Sequence, residues 1–349
     1  MRMENTGHNP FLFFPVIRPH SRVWFISSIA DTEQGNQTSL TEFILLGFGS
    51  VLELKILLFL LILVIYSVTM AGNILIVVLV VTDQHLHTPM YFFLGNLSWL
   101  ETCYTSTVLP RMMASLLTGD RTISIGGCIT QFYFVGFLAA TECCLLAAMS
   151  YDRYLAICKP LHYATIINGS FCLQLAAGSW INGFLSIIII VSFMLQLTFC
   201  GANEIDHFFC ESTQIINLYC NDIYQVELVI SIVAASITLP AFALTVTSYI
   251  YIISTILRIP STTVRQKAFS TCSSHLIVVT IFYGTLIILY LLPKTNTLRD
   301  LNKVFSVFYT ILTPMANPFI YSLRNKEVKE ALKKIVSKCV DFKRIQKCY

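Results

Sequence analysis

The sequence predicts an all-α membrane protein: a seven-transmembrane helix bundle with a short amphipathic helix after the last span. Of 349 residues, 55% are hydrophobic and 12% charged, where soluble chains carry about 25% charged residues. Mean hydropathy is +0.70. Seven apolar runs are long enough to cross about 30 Å of hydrocarbon at about 1.5 Å per helical residue. Lys and Arg gather in alternate connections between those runs, the pattern of a multi-pass chain. So few charges do not coat a water-facing surface. The twelve cysteines are too sparse for a small disulfide-stapled scaffold, and the apolar content excludes disorder. A net charge of +4 does not point to nucleic acid, because the basic residues concentrate between Arg324 and Lys347 beside apolar segments.

Residues 1–53 form an extracellular N-terminal segment. Its first 35 residues mix Phe and Ile with Arg18, His20 and Arg22 and make neither a spanning helix nor a clean signal peptide. Ser28-Ile29-Ala30 matches a small-x-small cleavage pattern, but the apolar run before it is short. Asn36-Gln37-Thr38 is a glycosylation sequon. The spans follow at 54–81, 90–116, 126–156, 172–195, 226–257, 269–292 and 302–323, so the transmembrane domain is 54–323. Arg153 and Lys159 after the third span, Arg258, Arg265 and Lys267 after the fifth, and Arg324, Lys326, Lys329, Lys333 and Lys334 after the seventh mark the cytoplasmic face. The 196–225 connection, with Glu204, Asp206, Glu211 and Asp222, lies outside; Lys294 and Arg299 at 293–301 run against the rule. The sequons at Asn96 and Asn168 fall in a span and in a cytoplasmic loop, beyond the reach of glycosylation. A cytoplasmic basic tail, 324–349, contains a segment at 325–338 that brings Val328, Leu332, Ile335 and Val336 near one face among lysines, as in a helix lying on a membrane. Cys339 beyond it is a reduced thiol or an acylation site.

Four cysteines stand apart from the rest. Cys128 begins the third span, and Cys200, Cys210 and Cys220 lie in the outer connection, where the compartment is oxidising. Four thiols allow three pairings, and spacing does not choose among them. Asp152-Arg153-Tyr154 closes the same span on the inner face, 25 residues from Cys128 to Arg153, or about 37 Å of helix. By charge alone this pair is either a snorkelling anchor or a functional ion pair.

Longer phrases decide the context: Gly72-Asn73; Leu86-His87-Thr88-Pro89-Met90-Tyr91; Met149-Ser150-Tyr151-Asp152-Arg153-Tyr154-Leu155-Ala156-Ile157-Cys158-Lys159-Pro160-Leu161-His162-Tyr163; Ser248-Tyr249; Lys267-Ala268-Phe269-Ser270-Thr271-Cys272; and Pro314-Met315-Ala316-Asn317-Pro318-Phe319-Ile320-Tyr321. In that order, from about Asn36 to Lys334, they resemble the olfactory receptors of the tetrapod-type class, within the rhodopsin-like G-protein-coupled receptors. Ser150 stands where that family usually has Ala, and Glu101 where it usually has Asp. The long N-terminal extension, 1–35, lies outside the match.

The resemblance implies pairings of Cys128 with Cys210 and of Cys200 with Cys220. It implies a switch in which Asp152 holds Arg153 beside Tyr154 until Arg153 is released toward Tyr249 and the G protein, as the sixth span, carrying Lys267 and His275, moves outward. Asn317, Pro318 and Tyr321 belong to the same switch, Pro318 removing a helix hydrogen bond and leaving a deformable point. Coupling to the stimulatory olfactory heterotrimeric G protein, a rise in cAMP, dependence on trafficking chaperones and a place in the plasma membrane of olfactory cilia are further implications.

Glu101 lies twelve residues from Pro89 and Glu142 eleven before Arg153, which puts both about 16–18 Å above the inner face. Two carboxylates facing each other in low dielectric do not both stay ionised unless a cation intervenes or one is protonated. The resemblance implies a sodium site of Glu101, Glu142 and Asn317; no other cofactor is expected. For the ligand, the outer halves of the third, fifth, sixth and seventh spans present Phe132, Val135, Gly136, Ala139, Ala140, Val233, Ile237, Leu286, Ile287, Tyr290 and Thr310 at helical spacing. A pocket so lined is apolar with a few hydroxyls and suits small neutral volatile compounds, Tyr290 being the expected hydrogen-bonding contact.

Two other classes fail on the residues. An intramembrane hydrolase needs a nucleophile, a base and an orienter, and neither His-Glu-x-x-His nor Gly-x-Ser-x-Gly nor a phosphate-binding loop occurs, so no enzyme is expected. A transporter is expected to carry internal repeats, and seven spans do not divide into halves. A rhodopsin-like receptor with a non-olfactory small-molecule ligand is the nearest alternative, differing in where the protein is expressed.

Overall fold

The computed structural model describes residues 41–48, 52–199, 203–220, 223–290, 296–324, 327–334 and 337. The sequon at Asn36, the 1–35 extension, Cys200 and Cys339, and the side chains of Lys267, Tyr290 and Tyr321, lie outside the described residues.

Six long helices, α1 (Leu52–Thr82), α2 (Pro89–Thr118), α3 (Ile125–Cys158), α5 (Gly169–Met194), α7 (Tyr224–Leu257) and α8 (Thr262–Tyr290), account for the first six spans. The seventh is composite: α9 (Asn296–Val307), a π turn (Phe308–Leu312) and α10 (Thr313–Arg324) run on without a break. Short helices α4 (Pro160–Ile166) and α6 (Ser212–Ile216) sit in connections, and residues 327–334 form the short helix, α11, after the last span. Hydrocarbon offers peptide groups no hydrogen bonds, so each span must satisfy its own backbone as a helix. Four of them, α1, α3, α5 and α7, are apolar enough to cross a membrane on composition alone. Ile56, Leu57, Val64, Leu173 and Ile232 are among the large side chains left exposed on their outer faces, where lipid is the solvent.

Helix ends follow local chemistry. Pro89 starts α2 at its first turn, and Gly119, with φ of 79°, ends it in the left-handed conformation. The Ser124 hydroxyl accepts from Gly127 N to cap α3, and Asn168 accepts from Phe171 N to cap α5. Asn168 therefore has a structural role. So has Asn96, which donates to Phe92 O at 2.9 Å and accepts from Trp180 Nε1 at 3.2 Å. The sixth and seventh helices begin at Thr262 and Asn296, earlier than the apolar runs at 269 and 302 predict. Hydropathy marks the stretch that prefers lipid, whereas the helix runs on past it into polar segments that include the good helix formers Arg265, Gln266, Lys267 and Arg299.

Helix α3 packs against α2, α5 and α7, and 61% of its apolar stretch is buried, against 11% for α1; it is the axis of the bundle. At its Cys128 end, strand β1 (Glu42–Leu45) lies between β2 (Thr122–Ser124), antiparallel, and β3 (Glu204–Ile205), parallel. At the opposite end α11 buries Val328 and Ala331, and Tyr91 donates to its Glu327 at 2.7 Å.

Close helix contacts depend on small residues. A Cβ on Gly183 of α5 would lie 2.7 Å from Phe137 O and 3.1 Å from Thr141 N of α3, whereas Gly178 on the same helix has open space around it. Gly183→Val is expected to destabilise the protein by about 1–3 kcal/mol through forced separation of α3 and α5, and Gly178→Val to leave it unchanged. Thermal unfolding of the detergent-purified protein separates the two.

Candidate functional site

An apolar cavity of about 110 Å³ lies between α3, α5, α7 and α8. It exists because α3 turns small residues, Gly136, Ala139 and Ala140, toward Ile187, Ile237 and Leu286. At Gly136 an added Cβ would sit 2.5 Å from Ile187 Cδ1, so the missing side chain is what admits Ile187. Phe132 and Val233 complete the wall expected from the sequence. Val135, Ile287 and Thr310 do not line it. Val135 packs in the main core, Ile287 is half-buried, and the Thr310 hydroxyl is spent on Ser306 O at 2.7 Å.

Where the sequence leads one to expect a ring of spans three, five, six and seven, this cavity takes a wall from the fourth span and, among the described residues, none from the seventh. Ser186, Ile187 and Ile190 of α5, Ser212 of α6, Cys143 of α3 and Ile230, Ala234 and Thr238 of α7 were not foreseen. A helix apolar nearly all round carries little signal of which face looks inward, and only Ser186 and Thr238, polar residues in apolar runs, offered one.

The segment above the cavity is pinned to α3 by the Cys128–Cys210 disulfide. Cys220 is disulfide-bonded as well. Gln131 reinforces the staple, accepting from Cys210 N and donating to Thr107 O, each at 3.0 Å. His207, fully buried, stacks on Phe208 and meets Phe209 edge-on. Phe209 N donates to its Nδ1 at 3.4 Å, which assigns the ring proton to Nε2 and makes Nε2 the donor to Ser306 Oγ at 3.2 Å. Ser306 in turn donates to Asn302 Oδ1, Asn302 to Thr213 Oγ1 and Thr213 to the Glu211 carboxylate. One directed chain of hydrogen bonds thus ties the 196–225 connection to the seventh span. Lys303 adds an ion pair to Asp206 and a bond to Gly47 O at 3.1 Å.

Midway through the bundle, Asn317 donates to Glu101 Oε1 at 2.6 Å, and the Glu142 carboxyl lies in hydrogen-bonding reach of Glu101. Both glutamates and Asn317 are buried. Glu101 Oε2, Glu142 Oε1 and Asn317 Oδ1 have no hydrogen-bond partner, so three buried oxygens converge with lone pairs to spare. Such a set suits a hard cation better than a transition metal. Among the described residues no group of three His, Cys, Asp or Glu side chains is placed to hold a metal ion.

At the far end Asp152 Oδ2 accepts from Arg153 Nε at 3.1 Å and Nη2 at 2.8 Å. Its other oxygen accepts from Tyr163 of α4 at 2.8 Å. Burial, with Asp152 beside it, pushes the Tyr163 hydroxyl above the ordinary tyrosine range. Tyr163 ends the phrase that begins at Met149 and carries the family resemblance, but the sequence assigns it no role; it lies eleven residues after Asp152, in the connection that folds back under α3. Tyr249 of α7 is hydrogen-bonded to His275 Nδ1 of α8 at 2.5 Å with the rings stacked. Tyr154 packs on Tyr251. Pro318 is buried, and a Cβ at Gly72 would lie 2.8 Å from its Cβ.

Residues 62–339 match the family model for the olfactory receptors. The chain is 50% identical to human olfactory receptor 6B1 over 303 residues, covering 87% of this chain and 97% of that one. With human olfactory receptor 10C1 it shares 50% over 305 residues, 87% and 98% of the two chains, and with human olfactory receptor 11L1 47% over 304 residues, 87% and 94%.

Burial, joined by the Lys303 charge and opposed by Asp206, lowers the His207 pKa to about 3 from an ordinary 6.5. Between those values the unfolded chain binds the extra proton, so the stability His207 confers is complete above pH 6.5 and drains away as pH falls toward 3. The loss at pH 5 is expected to be about 2 kcal/mol. His207→Gln should flatten the slope of thermal stability between pH 7 and pH 5 relative to the unaltered chain; parallel slopes would count against this placement of the ring.

Proposed function

Because the chain belongs to the olfactory receptor family, multi-pass membrane receptors that act through G proteins and are not enzymes, we propose that it binds small, mostly hydrophobic volatile compounds in the cavity beside α3. On this reading it activates the stimulatory olfactory G protein and raises cAMP. The observation that carries it is the apolar cavity itself, walled by Phe132, Gly136, Ala139, Ala140, Val233, Ile237 and Leu286 and roofed by a disulfide-pinned segment. Its volume, about 110 Å³, is comparable to the roughly 150 Å³ apolar cavity that takes benzene. Tyr290 in α8 is proposed as a further contact.

A ligand shifts a conformational equilibrium only by binding one state better. Filling the cavity presses α7 and α8 away from α3, and the inner half of α8 carries Lys267 and His275. Separation of His275 from Tyr249 then frees Tyr249 to receive Arg153 as it leaves Asp152 and Tyr163. Tyr154, Pro318 and Tyr321 complete this switch. The Cys128 end faces outward on this reading, with 1–53 extracellular and glycosylated at Asn36, Cys200 paired with Cys220, 54–323 as the transmembrane domain, and the 324–349 tail on the cytoplasmic lipid surface. Olfactory cilia are the proposed location, reached with trafficking chaperones. Glu101, Glu142 and Asn317 would hold a sodium ion, which supplies positive charge to two carboxyl groups that otherwise share a proton.

The test is cAMP in cells co-expressing the chain, the olfactory G protein and trafficking helpers, challenged with volatile compounds. A response is expected that Arg153→Ala abolishes at equal surface level. A response surviving in that variant, or one arising without the G protein, would refute the signalling assignment.

A further inference from the structure

At the Cys128 end of the bundle a cleft of about 30 Å³ opens between α1, α2 and the end of β1. Its rim is cationic. Lys55 of α1, Arg111 of α2 and Arg121, one residue before β2, all line it, and among the described residues no carboxylate does. All three side chains are partly buried, where charges act on one another more strongly than in open water. Lys55 has neither an ion pair nor a hydrogen bond. Arg111 donates from Nη2 to Thr122 O, which leaves other donors of its five-donor fork for a guest. Asp120 acts on Arg111 through its charge, yet its Oδ1 is engaged by Thr122 N and Thr122 Oγ1, both at 2.9 Å. Lys303, which reaches Gly47 O beside the cleft, is already matched by Asp206.

Below this rim the cleft is apolar, floored by Leu45, Met112 and Leu116 and closed by Phe208. Gly47, at a φ of 62°, turns the chain out of β1 so that Phe48 stacks on Phe208 at 5.1 Å. Next to Lys55, Ile56 and Leu57 are exposed on α1, and next to Leu116, Leu117 is exposed on α2. An apolar path therefore leads from the cleft to the lipid-facing surface.

We propose that this cleft binds the carboxylate of a fatty acid taken up from the bilayer. The anion relieves the mutual repulsion of the three cations, and a guanidinium fork matches the two oxygens of a carboxylate. At roughly 10–15 Å³ for each water-sized oxygen, about 30 Å³ admits two oxygens and not the four of a phosphodiester. The acyl chain leaves along Ile56, Leu57 and Leu117, in lipid. The bound head also touches Phe208, two residues from Cys210, so it joins α1 and α2 to the disulfide-pinned segment.

Thermal unfolding of the full chain in phosphatidylcholine nanodiscs, at about pH 8 where the head is ionised, tests this without any odorant, so its result stands apart from the signalling reading. Saturating oleate is expected to raise the midpoint by about 2–5 °C, and methyl oleate, with the same chain and no charge, to leave it unchanged. Lys55→Gln should weaken the oleate response about tenfold, the worth of one charge-assisted hydrogen bond. Arg111→Gln should weaken it likewise and serves if Lys55→Gln fails to fold. Lys329→Gln, on α11 at the opposite end, should leave the response intact. No rise with oleate, an equal rise with methyl oleate, full response in both cleft variants, or an equal loss in Lys329→Gln would each overturn the proposal. Phosphatidylglycerol in place of oleate separates the two sources of an anionic head: a rise as large as oleate's, lost in Lys55→Gln, would give the cleft to a phospholipid and overturn the carboxylate assignment.

Discussion

A helix in hydrocarbon cannot break without stranding peptide groups, and that constraint turns α3 into a rod on which the rest of the molecule is hung. One end is bonded to the 196–225 connection through Cys128 and Cys210. Its upper middle presents the small residues that leave the cavity. Glu142 sits farther along, against Glu101, and the opposite end holds Asp152 with Arg153 and Tyr163. Because these groups share one unbroken element, the proposed push at Ala140 and the proposed release of Arg153 would act along the same rigid body, with α7 and α8 as the partners that move on that proposal.

Two uses of glycine on the same interface show how finely the packing is divided. At Gly183 the missing side chain lets α5 close directly onto the Phe137 carbonyl. At Gly136 it makes room for Ile187 and, with Ala139 and Ala140, leaves the hollow. Without a hydrophobic force between helices in lipid, such close approaches and buried polar contacts do the holding. Asn73 illustrates the second kind, donating to Thr69 O and across to Pro314 O, both at 3.1 Å.

Much of this was legible in the sequence, for reasons that differ by feature. The bilayer dictates a length, so apolar runs revealed all seven spans. The helical rise is fixed, so counting from Pro89 and from Arg153 put Glu101 and Glu142 at one depth, and the structure brings them within hydrogen-bonding reach. Rotation about a helix axis has no such ruler. Ile187 and Ile190 lie in the unbroken apolar run 187–191 of the fourth span and so gave no hint that they face the cavity, and Val135 and Thr310, placed there by spacing, turn elsewhere. Contacts between distant segments were equally silent. Nothing in the phrase around His207 announces Ser306, 99 residues on, and Tyr163 reaches Asp152 only because α4 folds back beneath α3.

On the proposed reading Asp152 holds Arg153 in the resting state, and release of Arg153 is the output of the rod. Cyclic AMP produced without ligand by Asp152→Asn, at matched surface expression, tests it most directly. Weakening that hold by about 1 kcal/mol should raise basal signalling roughly fivefold. Basal cAMP unchanged in a variant that still responds to ligand would contradict the account.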